Sequence, residues 1–294
     1  MANKNQVIHW LKWAAWVAIV AVIVYFLNKN DNSQEQTIET EQSETFATTE
    51  QNPANQDNNN QTTSQSTNLE SVLMPRGLSN TVVKYKGYTA HFNKNLHIPN
   101  CVVYEITANE ARGRREREGD FERDKNVTGC PNWWDYRDSG YDRGHMAPAG
   151  DMKWDEQAMN ETFYLTNICP QDDELNAGLW NDLEVKVREW AKRDKSLIVI
   201  TGPIVDNNPK TIGQDMDIAV PEAFFKVVLA TKTQPMKAIA FICPNRACGG
   251  SLNKYAVSID EVEKRTGMNF FNALPDDMED KLESTCNPNQ WMNR

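Results

Sequence analysis

Histidine is scarce in this chain: His9, His91, His97 and His145 are the only four in 294 residues. Any imidazole chemistry near neutral pH must draw on one of them. The chain has no GxGxxG and no P-loop, so the glycine-rich cradles for dinucleotides and nucleoside triphosphates are excluded. Its six cysteines, Cys101, Cys130, Cys169, Cys243, Cys248 and Cys286, include no CxxC pair. With no second cysteine pair or CxxH, neither a redox dithiol nor a zinc knuckle is expected. The even count permits disulfides in a domain outside the cytoplasm, without choosing their pairing.

A basic excess is also missing. Lysine and arginine number 31 against 41 acids, a formal net charge of −10, which excludes a polynucleotide grip by overall charge. The imbalance is uneven. Residues 1–30 carry Lys4, Lys12 and Lys29 with no acid, and residues 31–70 carry eight acids with no base. The remaining 28 basic and 33 acidic residues leave a net of only −5. A phosphate grip must then be a local patch. Arg112, Arg114, Arg115, Arg117, Arg123, Arg137 and Arg143 are the candidates, with a solvated charged loop as the alternative because Glu116, Glu118, Asp120 and Glu122 interleave.

Charge is absent from Trp13 to Leu27, WAAWVAIVAVIVYFL, and Trp10 and Leu11 extend this apolar run past Lys12. A helix of about 20 apolar residues crosses a bilayer, and a lysine near its end can snorkel to the headgroups. The expectation is an uncleaved anchor over 10–27 behind a short cytoplasmic segment at 1–9, with a cleaved signal peptide as the alternative. Positive charge retained inside places the bulk of the chain outside a bacterial cell membrane, single-pass and in contact with the lipid bilayer. Residues 28–70 have hardly an aliphatic side chain and read as a disordered polar linker. Residues 71–294 form the globular domain.

Within that domain, β-branched and aromatic runs predict strands at Cys101–Thr107, Thr162–Leu165, Ser196–Thr201, Ala223–Ala230 and Lys237–Cys243. Leu179, Leu183, Val187 and Trp190 recur at helical spacing, predicting a helix over 177–192 with Asn176 as its cap. Short helices are expected at Asp260–Thr266, capped by Ser258 and Asp260, and at Pro275–Ser284. No βαβ rhythm is present, so the fold class is α+β with a mostly antiparallel sheet.

Of the histidines, only His145 sits among an acid, an arginine and a glycine, in YDRGHMAP. That setting suits a general base. Asn176, Trp180, Glu184 and Arg188 follow i, i+4 spacing along one helix edge. Asn176 could offer a carbonyl oxygen to a hard divalent ion, Glu184 could orient its waters, and Arg188 could pair with Glu184. Taken alone, the same stripe also reads as a capping asparagine with a surface ion pair.

The run YDRGHMAPAGDM, followed by TFYLTNICPQDDELNAGLWNDLE, resembles the DNA/RNA non-specific endonuclease family, the ββα-metal or His-Me finger nucleases with a DRGH motif. The likeness extends upstream to Tyr104–Thr107 and to Arg117–Asp124, and downstream through Tyr255–Glu263 and Thr266-Gly267. This resemblance implies a ββα-metal fold and hydrolysis of DNA and RNA to 5′-phosphate ends. It implies His145 as general base, Asn176 as the direct ligand of Mg²⁺ (with Mn²⁺ as a substitute), and Glu184 acting through metal-bound water. Arg188 would help Glu184, Arg117 would meet the scissile phosphate, and Asp142 and Arg143 would brace the site. Asn167 and Gln171 would fix the turn into the helix. Cys169 departs from the pattern, since related sequences commonly carry a small hydroxyl residue there; it would clamp the metal loop as a disulfide or stand free. A membrane-anchored module that captures nucleic acid without cutting it is the competing function.

Overall fold

The computed structural model describes residues 69–292. The expected anchor at 10–27 and nearly all of the linker at 28–70 lie outside the described residues, among which no helix is long and apolar enough to cross a membrane.

Strands form where the β-branched and aromatic runs lie. In chain order the main sheet comprises β1 (Thr81–Lys84), β2 (Thr89–Asn93), β3 (Ile98–Thr107), β4 (Ser196–Ile204), β5 (Ala223–Ala230), β6 (Lys237–Pro244) and β7 (Ala256–Val257). Each pairs antiparallel with its neighbours in sequence, so the sheet is a seven-stranded meander. The fold class is the expected one. Alternate side chains face opposite sides. Tyr104, Val199, Phe224 and Val228 join one apolar core, while Val103, Ile200, Phe225 and Val227 join the other.

The first core is covered by α2 (Asn181–Asp194), which buries Leu183, Val187 and Trp190 at the predicted spacing. The second is covered by α3 (Ile259–Thr266) and α4 (Asp276–Ser284), through Ile259, Val262 and Leu282. Ser258 caps α3 by accepting from the backbone N–H of Glu261 at 3.2 Å. Asp260 lies inside the first turn rather than at the cap.

Between β3 and β4 the chain leaves the sheet for residues 108–195, and this excursion departs from the expected elements twice. Thr162–Leu165 is not a strand. Thr162 closes α1 (Glu156–Glu161), Leu165–Asn167 is a 3-10 turn, and Tyr164 between them makes an isolated bridge with Glu122. The segment has no neighbouring strand long enough to extend a ladder. Asn176 is not a helix cap either. Helix begins earlier, at Asp173–Leu175, where the Asp172 carboxylate accepts from the Leu175 N–H at 3.0 Å. A π-turn then runs over Asn176–Trp180 before α2, with Gly178 at φ −99° and ψ −112°. The aspartate wins the cap because it lies one turn upstream with a free carboxylate.

Glu283, at the end of α4, is 5% exposed, and its Oε1 has no hydrogen-bond partner. Carboxylate oxygens of Asp260, Glu263 and Glu283 lie within 4.8 Å of one another. Burial first, and then the Glu263 charge, push the Glu283 carboxyl up to about 8 from 4.5. A raised acid is stabilising while protonated. Its contribution is full below about pH 4.5 and is lost as pH rises toward 8. Glu283→Gln therefore stabilises the fold more at pH 8 than at pH 5, by about 1 kcal/mol or more, or roughly 2–4 °C in thermal melts at the two pH values. Equal melting shifts at both would contradict this.

Candidate active site

The DRGH residues form one strand of a two-stranded ribbon. Asp142–His145 pairs antiparallel with Ile168–Gln171, in the register Asp142 to Gln171 and His145 to Ile168. Gly144 is required by a close approach, because a Cβ there would lie 2.2 Å from Gln171 Oε1 and 2.6 Å from its Cβ. Asn167 locks the ribbon to the loop after it. Its Oδ1 accepts from the Ala147 N–H at 2.9 Å, and its Nδ2 donates to the Ala147 carbonyl at 2.9 Å and to that of Thr162 at 2.8 Å. Ribbon, turn and helix thus follow one another as β, β, α.

All seven predicted site residues meet. One cavity of about 520 Å³ is lined by Arg117, Arg143, His145, Asn176, Glu184 and Arg188. An adjoining one of about 220 Å³ shares Arg117, Arg143 and Asn176 and adds Asp142. Of the seven candidate arginines for a phosphate patch, Arg117 and Arg143 face this cleft together. Elsewhere Arg112 donates to the Ala108 carbonyl, Arg115 pairs with Glu156 and Arg137 lies over Trp133.

The His145 ring sits 5.3 Å from Phe121 and 5.1 Å from Phe163, ring centre to ring centre. Arg117 lies over Phe163 at 5.3 Å and Arg143 over Phe121 at 4.7 Å, so the two aromatic rings carry both cations beside the imidazole. Burial, and then the Arg117 charge, push His145 down to about 3. The imidazole is therefore neutral at pH 7. Its Nε2 is buried and has no hydrogen-bond partner among the described residues. Asn176 Nδ2 donates to Asp142 Oδ2 at 2.9 Å, which orients the carboxamide and leaves its oxygen without a donor among the described residues. Burial, the largest effect, lifts the Glu184 carboxyl to about 7; the Lys226, Arg188 and Arg117 charges oppose it and Asp151 adds to it.

Residues 64–277 match the DNA/RNA non-specific endonuclease family. The chain belongs to that family. It is similar to the mitochondrial nuclease EXOG of Danio rerio, 36% identical over 73% of this chain and 68% of the relative, and to that of Homo sapiens, 35% identical over 70% and 61%. It thus spans about two thirds or less of the length of these relatives. A chain in the crystal structure of the EndoG/EndoGI complex superposes with a TM-score of 0.63 at 28% identity, covering 67% of this chain and 87% of that one.

Within the family's cleft, several expectations need correction. Arg188 forms its ion pair with Asp151, at 2.7 Å, and not with Glu184. Asp151 has no exposed side chain and also accepts from the Tyr104 hydroxyl at 2.8 Å, so it is the better-placed anion. Gln171 is fully buried, but neither side-chain amide atom has a hydrogen bond among the described residues; it fills the space left by Gly144 rather than bonding the turn. Cys169 is free and buried opposite Gly144, its thiol pushed well above the usual range by burial, and all six cysteines are free.

Three buried polar residues next to the cleft were missed from the sequence: Tyr104, Asp151 and Lys226. A signal for each existed: Tyr104 begins the upstream family stretch Tyr104–Thr107. Asp151 lies in the family run AGDM, and Lys226 is a lone cation inside AFFKVVLA, a strand otherwise without charge. Gly144→Ala would force the ribbon apart and cost about 1–3 kcal/mol. A melting curve measures that loss, and Gly144→Ala with Gln171→Gly, which removes both the amide and the Cβ, should recover part of it; no recovery would mean the contact is not the cause.

Proposed function

We propose that this protein is a metal-dependent, sugar-non-specific endonuclease that hydrolyses DNA and RNA to 5′-phosphate ends. The observation that carries the reading is one cleft holding a neutral imidazole with a bare Nε2, an oriented carboxamide oxygen and two ring-supported arginines. The donor set fits a hydrated hard cation. The Asn176 oxygen is fixed and unoccupied by any donor among the described residues, Glu184 lines the same cleft, and an ion that keeps most of its waters needs few protein ligands. Mg²⁺ suits these ligands, with Mn²⁺ as a substitute. When bound, it would polarise the phosphate and offset charge on the leaving oxygen.

This chain's residues would do the rest. His145 takes the proton from the attacking water, a role open to a neutral ring and closed to an imidazolium. Arg117 and Arg143 bind the phosphate and stabilise the charge that develops in the transition state. Asp142 holds the Asn176 amide so that its oxygen would be free to hold the ion, and Glu184, lining the same cleft, would order the ion's waters. Arg188 braces the helix through Asp151 and lends positive potential to Glu184. The apolar run at 10–27 supports a single-pass anchor with this domain outside the cell membrane.

In a plasmid-nicking assay, EDTA abolishes cleavage and Mg²⁺ restores it; cleavage that survives chelation would overturn the mechanism. His145→Ala lowers kcat by about 10²–10⁴-fold while DNA binding persists, whereas loss of binding in parallel would make the histidine structural. Binding without cleavage at any divalent ion would instead select a capture module. His145 and Glu184 also make opposite claims on pH. In the metal-free protein His145 stays neutral down to acid pH, while the Glu184 carboxyl, raised to about 7, gains its charge as pH rises. A bound cation beside it would pull that carboxyl down, so Mg²⁺ moves the Glu184 titration, followed by its infrared carboxyl band against Glu184→Gln, to lower pH; no movement would place the ion away from Glu184.

A further inference from the structure

Lys226 is the one residue of β5 whose chemistry does not suit its place. It is 0% exposed at the centre of the main sheet, paired with Thr201 on β4 and Phe241 on β6. Methionine or leucine would fill the same space without burying an ammonium, which carries a large desolvation cost. Its polar contacts are few. Nζ donates to Thr201 Oγ1 at 3.3 Å, and the Thr201 hydroxyl in turn donates to the Phe225 carbonyl at 3.0 Å, so the threonine oxygen is committed as an acceptor. The ammonium also lies over the Trp180 ring, 4.6 Å from its centre.

Among the described residues no carboxylate comes within ion-pairing distance of it. Its opposite charges are those of the cleft: Glu184 is foremost and Asp151 follows, with Cys243 as a weaker neighbour and the Arg188 cation opposing. Trp180 ends the π-turn that begins at Asn176, and Glu184 lies one helical turn further on in α2. The indole packs on Phe224 of β5, 5.6 Å between ring centres, so both the turn and the helix rest on this part of the strand. Burial lowers Lys226 and raises Glu184, and each charge favours the other's ionised form.

We propose that Lys226 is a positioning residue of the cleft. Its ammonium, seated on Trp180 and Thr201 behind the helical run that carries Asn176 and Glu184, supplies the fixed positive charge that draws the Glu184 carboxylate into place. It touches neither substrate nor metal and acts through Glu184. The proposal rests on the endonuclease reading above, in which Glu184 orders water at the ion.

The test compares Lys226→Met and Lys226→Gln with the unchanged protein, alone and combined with Glu184→Gln, under single-turnover conditions with Mg²⁺. Each variant is expected to remain folded, with melting temperature equal or higher, since an apolar or neutral side chain removes a buried charge. Cleavage slows by about tenfold or more while the KM for DNA stays within about twofold, and half-saturation shifts to higher Mg²⁺. In the Glu184→Gln background, Lys226→Met changes the rate by less than about twofold, because the group through which it acts is already gone. A folded Lys226 variant with full activity overturns the proposal. So does an equal loss in both backgrounds, and so does failure of both lysine variants to fold, which would make the role structural. An unchanged protein that never cleaves would sink the endonuclease reading instead, which separates the two failures.

Discussion

The Asp151 carboxylate joins the parts of this domain that must hold still for the cleft to exist. It accepts from Tyr104 on β3 and from Arg188 on α2, with no exposed side-chain surface of its own. Sheet, loop and helix are pinned at one point. A buried pair of this kind gives little net stability when intact, yet removing one partner costs about 3–5 kcal/mol because the other is left charged and dry. Its value is therefore geometric. Gly150, just before Asp151, keeps the approach open: a Cβ there would lie 2.9 Å from Arg188 Nη1.

Around that pin the architecture divides labour. The meander β1 to β7 is continuous in sequence order except for the excursion of residues 108–195, and every predicted site residue lies in that excursion. A rigid sheet supplies burial, and a long insertion supplies chemistry. The insertion is made rigid in turn by specific ties: the three hydrogen bonds of the Asn167 side chain, the cap at Asp172 and the aromatic pair that carries Arg117 and Arg143.

Much of this was legible beforehand. The strands β4, β5 and β6 follow β-branched runs, α2 follows the spacing of Leu183, Val187 and Trp190, and the DRGH context singled out His145. The remainder was hidden for physical reasons. Thr162–Leu165 has strand-like composition, but a strand needs a partner, and that partner is a tertiary matter. Asn176 and Asp172 are both good caps, so local preference did not decide between them. The Arg188 partner was assigned by helix spacing to Glu184, while the stronger competitor, Asp151, lies 37 residues away in sequence. Lys226 could have been read, since a lone charge in an apolar strand asks for a partner, although the sequence does not say which.

The π-turn at Asn176–Trp180 has an implication for how such a chain can change. Gly178, at φ −99° and ψ −112°, is not helical, so the screw is broken between Asp173–Leu175 and α2 and the direction of Asn176 is set by that one backbone joint. Deleting a single residue here would change that joint and swing Asn176 away from Asp142. Length at this point is thus held as tightly as the identities of Asn176 and Trp180, and Ala177, exposed between them, is the position open to exchange.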